Sequence, residues 1–184
     1  MKMVAIGDSI TEGYPFSPDD SWVSYVTKEL KLEIVNRGIC GDLTQGMRAR
    51  FKRDVFSENP THVIILGGAN DASSGFSLGK VSDNFKAMVE MSRYQGIIPI
   101  LGLPIPFLLP TEEKLMAQYR NWLKDYINKE ANILSIDFWI PFFTAIQVNE
   151  AAKLYADEVH PSIAGYKLMG ETALHSLESL IALS

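Results

Sequence analysis

Five short apolar runs, rich in β-branched residues, recur along the chain, and stretches with helical periodicity separate them. The runs occupy residues 3–6, 33–36, 62–66, 97–101 and 133–136. Several are nearly continuous rather than alternating, which suits strands of a parallel sheet covered on both faces. Between them, Trp22, Tyr25, Val26 and Leu30 form one helical stripe, and Phe85, Met88, Val89 and Ser92 form another. Leu115, Tyr119, Trp122, Leu123, Tyr126 and Ile127 follow the same rule, and residues 163–183 close the chain as a long amphipathic helix. Strand–helix alternation requires right-handed crossovers. It predicts an α/β fold: a three-layer α/β/α sandwich around a flavodoxin-like five-stranded parallel sheet, with helices on both faces. No repeat, low-complexity tract or linker interrupts the pattern, so residues 1–184 read as a single domain. The proline-containing segments 14–20 and 103–110 read as loops within it.

Charge and composition exclude several classes of function. Acidic residues outnumber basic ones 22 to 17, for a formal net charge of -5. Nucleic acid is therefore not an expected partner, because phosphate binding needs a basic surface. Arg48, Arg50, Lys52 and Arg53 concentrate positive charge locally, but on a helix they spread around the circumference and read as a solvated face. The single cysteine, Cys40, cannot form an intrachain disulfide, and with three scattered histidines it makes no metal cluster. No apolar run approaches the length of a membrane span, and no charged leader with an apolar core opens the chain. A cytoplasmic location is the expectation, with the oligomeric state left open.

In a sheet of this kind, ligands bind beyond the carboxyl ends of the strands. Four segments reach that rim. In VAIGDSITEG, residues 4–13, Ser9 follows the first strand at once. There it can cap a helix, cradle a phosphate or attack a carbonyl. In NRGICGDLT, residues 36–44, Gly38 and Gly41 allow main-chain N–H groups to face a cleft, or mark a turn before a helix at Thr44. In LGGAND, residues 66–71, Asn70 either forms an Asx-type turn or presents a neutral amide donor. In DEVHP, residues 157–161, an Asp lies three residues before a His in a turn stopped by Pro161. Its carboxylate can engage the imidazole Nδ1–H and leave Nε2 to take a proton from a hydroxyl. The alternative there is an exposed acidic turn with a capping His.

Together, these segments resemble the SGNH hydrolase family, also called GDSL esterases and lipases. Gly7-Asp8-Ser9-Ile10 matches the first block, with Ile10 in place of the usual Leu, an exchange that keeps an apolar packing residue. Residues 36–44 match the N-x-G-x-x-G-D-x-T block, residues 68–71 the G-x-N-D block and residues 157–161 the D-x-x-H-P block. The resemblance implies a serine esterase or acylhydrolase acting on small or medium acyl esters, with no cofactor and no metal. It assigns Ser9 as nucleophile, His160 as general base and then acid, and Asp157 as the group that orients His160. The implied oxyanion hole comprises the Ser9 and Gly41 backbone N–H groups and the Asn70 side-chain amide, each such donor being worth about 3 kcal/mol.

The neighbouring residues have supporting expectations. Asp8, Asp42 and Asp71 are expected to brace loops through backbone hydrogen bonds, Asn36 to pin the second block and Cys40 to fill apolar space near the site. His62 and His175 read as structural or solvated. The loop at residues 103–110 is either a packed crossover or an apolar wall for an acyl chain. In the second case Phe107, Leu108 and Leu109 line it, with Met47, Phe142 or Phe143 beside them. Deacetylation of a carbohydrate ester is the nearest variant of the same chemistry. A flavodoxin-like protein that binds phosphate or flavin is the alternative from a different class; it uses Ser9 and the glycines but leaves Asp157 and His160 without a role.

Overall fold

The computed structural model describes residues 1–181, and its sheet has the strand order β2-β1-β3-β4-β5 with all neighbours parallel. The strands are β1 (Lys2–Gly7), β2 (Glu33–Gly38), β3 (His62–Leu66), β4 (Ile98–Leu103) and β5 (Leu134–Asp137). This is the doubly wound, flavodoxin-like order, which reverses direction between β1 and β3 and opens a crevice there. Val4, Ala5 and Ile6 of β1, Val63 to Leu66 of β3 and Ile100 and Leu101 of β4 are buried. Their continuous apolar runs reflect helices covering both sheet faces. The edge strands β2 and β5 are less fully covered.

The helices are α1 (Ser9–Glu12), α2 (Trp22–Leu30), α3 (Thr44–Asp54), α4 (Ala69–Ser73) and α5 (Leu78–Tyr94), then α6 (Pro110–Lys129), α7 (Trp139–Gln147), α8 (Ala151–Leu154) and α9 (Ile163–Ile181). One layer contains α2 packed on α9, while α3, α5 and α6 form the other. Trp22 is fully buried with its ring 5.3 Å from that of Phe138, and Phe85, Met88, Val89 and Ser92 of α5 all face the core. Positions 182 and 183 of the expected last helix lie outside the described residues. No helix among the described residues is long and apolar enough to cross a membrane.

Only β3 keeps the bounds read from the sequence; β1 and β5 shift by single residues, and two strands run two residues further than expected. β2 continues to Gly38, in register with Gly7 of β1, and β4 runs to Leu103. The expected solvated face of α3 also needs correction. Arg48, Lys52 and Arg53 conform to it, but Arg50 is only 8% exposed, because four acceptors surround its guanidinium.

Candidate active site

Gly7 ends β1 at the crevice, and the next residue decides what Ser9 is free to do. Asp8 is the N-cap of α1: its Oδ1 accepts a hydrogen bond from the Ile10 N–H at 3.0 Å. The capping role considered for Ser9 therefore falls to Asp8. Ser9 opens the helix with its hydroxyl oxygen 3.0 Å from His160 Nε2. Asp8 is buried and its Oδ2 has no partner. Desolvation is the main reason that its carboxyl is pushed up to about 7, with the nearby Asp71 and Asp42 adding to the effect.

His160 sits in a tight loop. Tyr155 and Pro161 form an antiparallel bridge, and the Ala156 N–H donates to the His160 carbonyl at 2.8 Å. Within this loop Asp157 has two tasks. Its Oδ1 accepts from the N–H groups of Val159 at 2.8 Å and His160 at 2.6 Å, while its Oδ2 lies 2.8 Å from His160 Nδ1. Burial tends to raise the Asp157 carboxyl, but these hydrogen bonds outweigh it and hold the group below its ordinary value. A charged carboxylate at Nδ1 fixes the tautomer that leaves Nε2 as acceptor for the Ser9 hydroxyl. The arrangement can pass the hydroxyl proton to the imidazole and stabilise the cation that results.

The second and third blocks meet beside this chain of groups. Gly41 has φ +78°, a left-handed conformation in which other residues are strained. Asn36 donates through Nδ2 to the Thr11 carbonyl at 2.8 Å and accepts from the Gly38 N–H at 2.9 Å, tying β2 to α1. The Cys40 N–H donates to Glu12 Oε2. Asp71 takes both the N–H and the hydroxyl of Thr44, at 2.9 and 2.7 Å, and so caps α3 from the third block. Asn70 Nδ2 donates to the Asp42 carbonyl at 2.9 Å, which brings its amide next to the Gly41 turn. A primary amide has a second hydrogen to donate elsewhere.

Several expected roles need correction. Cys40 is exposed rather than an apolar filler. The Asp42 carboxylate is held by the Arg50 side chain at 2.7 Å rather than by backbone groups. Met47 is wholly buried, with its sulfur packed against Gly67; Phe142 packs edge-on to Tyr155; and Phe107 is buried too. These three are core residues, so they do not form an open acyl wall. Leu108 and Leu109 are each 37% exposed, and Phe143 is 40% exposed and stacked on Trp139. The loop at 103–110 also braces the histidine loop. The Tyr155 hydroxyl donates to the Pro106 carbonyl at 2.6 Å, and the Leu108 N–H donates to the Glu158 carbonyl at 2.9 Å.

Sequence reasoning missed two residues at the site. The ring of Tyr14 lies 4.7 Å from that of His160 at 66°, and the Tyr14 backbone is held by Ser9 and by the Tyr166 hydroxyl. In the sequence Tyr14 marks only the start of a loop. Arg50 is the other; its one local signal is Asp54, four residues on along the same helix.

Comparison with known proteins covers the same ground. Residues 5–168 match the model of the GDSL-like Lipase/Acylhydrolase family. An acetylxylan esterase from Geobacillus stearothermophilus is 27% identical over 205 residues, spanning 96% of this chain and 93% of that protein. The lipoprotein YqeF of Bacillus subtilis is 28% identical, over 78% of this chain and 72% of its own length. A solved G-D-S-L family structure from Desulfitobacterium hafniense superposes with a TM-score of 0.86 at 35% identity, covering 95% of this chain and 98% of that one. The family match begins in the strand before Ser9 and ends in the helix after His160, so it contains every segment that builds this site: the chain belongs to the GDSL-like lipase/acylhydrolase family.

Proposed function

We propose that this serine ester hydrolase cleaves short-acyl esters of cyclic alcohols, acetylated sugars above all, through an acyl-enzyme on Ser9. The observation that carries the reading is the continuous chain from Asp157 Oδ2 through the imidazole of His160 to Ser9 Oγ. In this reading Ser9 Oγ attacks the ester carbonyl as its proton passes to His160 Nε2, and the charge that develops on the carbonyl oxygen is met by the Ser9 N–H, the Gly41 N–H and the Asn70 amide. Collapse of the tetrahedral intermediate breaks the ester C–O bond, and His160 returns the proton to the departing alcohol. Water then repeats the sequence on the acyl-enzyme and releases the acid.

The preference for a short acyl group follows from the burial of Met47, Phe107 and Phe142, which leaves those side chains no surface to offer a long chain. The preference for a cyclic alcohol follows from Tyr14. The leaving group must pass His160 to collect its proton, and the exposed aromatic ring beside His160 offers it a flat apolar platform. The similarity to an acetylxylan esterase supports the same choice. The flavin- or phosphate-binding alternative gives the Ser9–His160 contact no task.

The test is kcat/KM for p-nitrophenyl acetate, butyrate and octanoate beside acetylated xylo-oligosaccharides, with organophosphonate labelling of wild type and Ser9→Ala. Rates should fall with acyl length, and the sugar esters should be turned over. Ser9→Ala should lose both labelling and turnover, by up to about 10⁶ in kcat if the three groups act as a unit. Faster octanoate than acetate hydrolysis would overturn the substrate class, and a labelled or active Ser9→Ala would overturn the nucleophile.

A further inference from the structure

We propose that the pair formed by the buried Arg50 and the partly buried Asp42 is the positioning device that aligns the oxyanion-binding groups, and that Gly46 makes room for it. The inference rests on the roles proposed above for Ser9, Gly41 and Asn70. Arg50 sends its donors in several directions. Nε binds Asp42 Oδ2 at 2.7 Å, Nη1 binds the Arg37 carbonyl at 2.9 Å and Asp54 Oδ2 at 2.8 Å, and Nη2 binds the Gly7 carbonyl at 2.9 Å.

Each acceptor except Asp54 lies close in sequence to a part of the site. Gly7 stands two residues before Ser9 at the end of β1, and Arg37 stands at the end of β2, where the second block begins. Asp42 follows Gly41 directly, and its own carbonyl accepts from Asn70 Nδ2 at 2.9 Å. One guanidinium therefore sets the spacing between segments that supply all three donors, two directly and the third through Asp42. Only arginine offers a rigid fork with donors in these directions; lysine has a single donor point on a flexible stem.

Gly46 lies in the first turn of α3, facing the Asp42 carboxylate. A Cβ there would fall 1.9 Å from Asp42 Oδ1, and its three nearest neighbours all belong to the Asp42 side chain. An alanine at position 46 thus collides with the Asp42 carboxylate that Arg50 Nε holds and strikes no backbone. Alanine is otherwise the better helix former, so in a helix without this device the exchange would hold or raise stability. The two effects separate positioning from scaffolding.

Displacing Asp42 moves the Gly41 N–H and the Asn70 amide together. Donors to a developing oxyanion are sensitive to shifts of a fraction of an ångström, and a misplacement of about 1 Å can cost about 10²-fold in rate. Substrate binding, which precedes the charge, changes little.

The experiment compares Gly46→Ala, Arg50→Lys and Ser9→Ala with wild type. It reads kcat and KM on p-nitrophenyl acetate, the Ki of a short trifluoromethyl ketone, whose hydrate-like adduct places an oxyanion in the same position, and the melting temperature. Gly46→Ala should fold but melt below wild type, because Asp42 is pushed off the buried Arg50, and in its folded fraction lose about tenfold or more in kcat, with KM within about twofold and Ki weakened by the same factor as kcat. Arg50→Lys should show the same kinetic signature, and it decides the matter if Gly46→Ala does not fold. Values of kcat and Ki within about twofold of wild type in folded variants, or losses that only track the folded fraction, would overturn the inference. Turnover by Ser9→Ala would instead overturn the reading of the site, which keeps the two failures distinct.

Discussion

His160 Nε2 stands 3.0 Å from Ser9 Oγ across 151 residues of chain, while its other ring nitrogen is held 2.8 Å from Asp157 Oδ2 within one loop. The imidazole is thus aimed by a local partner at a distant one. Ser9 is placed by the first strand and helix, and His160 by a loop pinned to residues 103–110. The Ser9–His160 contact depends on two independently built pieces meeting at the sheet rim.

Asp157→Asn separates aiming from loop structure. An asparagine Oδ1 can still accept from the Val159 and His160 N–H groups, so the loop should persist. Its amide hydrogens would face Nδ1 and favour the tautomer whose Nε2 carries a proton, which cannot accept from Ser9. We expect kcat to fall by about 10³ or more with a small change in KM and a melting temperature near wild type. Steady-state kinetics and thermal melts check this; a variant within about tenfold of wild-type kcat would remove Asp157 from the aiming role.

Asp8 predicts how stability depends on pH. Its carboxyl rises from an ordinary 3.8 to about 7 in the folded chain, chiefly through burial. Between about pH 4 and 7 the native state therefore holds a proton that the unfolded chain has released. Stability falls as pH rises through that window, and above it the native state carries a buried charge at a cost of about 4 kcal/mol. Asp8→Asn keeps a capping oxygen for the Ile10 N–H and removes the charge. Its melting temperature should exceed that of wild type by about 5 °C or more at pH 8, with the difference shrinking toward pH 4. A gain equal at both pH values would mean that packing, not ionisation, sets the effect.

Much of this architecture is legible in the sequence because burial on both faces writes an unbroken apolar run. Ile6, Ile64, Ile65 and Ile100 carry that signal. The pairing of Asp157 with His160 is legible because the two lie three residues apart in a turn that Pro161 stops. Arg50 was not, because its acceptors include the Gly7 carbonyl 43 residues away and the Arg37 carbonyl 13 residues away, and backbone carbonyls leave no mark on residue type. A basic residue among basic neighbours reads as solvated until the chain is folded. Met47 and Phe142 fail for a related reason. An apolar side chain beside a motif can face the crevice or the core, and helix rotation against the sheet decides which.

Tyr14 predicts a change in selectivity. Stacking of a cyclic alcohol on its ring is worth about 0.5–1.5 kcal/mol, or about 2- to 10-fold in kcat/KM. Tyr14→Ala should therefore lose that factor on phenyl acetate and acetylated xylo-oligosaccharides. Ethyl acetate, with no ring to stack, should be hydrolysed at close to the wild-type rate. The informative quantity is the ratio of the two kcat/KM values; equal losses on both substrates would mean that Tyr14 acts only by packing on His160.

Asn70 is the most demanding case, because one of its amide hydrogens already has a structural task. Its Nδ2 donates to the Asp42 carbonyl at 2.9 Å, and the oxyanion role requires the other hydrogen. Asn70→Ala removes both. The loop should survive, because Asp42 remains held by Arg50 and Thr44 by Asp71. The loss should then appear where negative charge develops, as a fall of about 10²–10³ in kcat with little change in KM. Asn70→Asp keeps the size but turns a carboxylate toward both the Asp42 carbonyl and the developing oxyanion. That variant should bind substrate near normally yet be almost inactive. A kcat above about a tenth of wild type for Asn70→Asp at neutral pH would be incompatible with a donor effect of this size. A joint rise in KM and fall in melting temperature for Asn70→Ala would assign Asn70 to the loop alone.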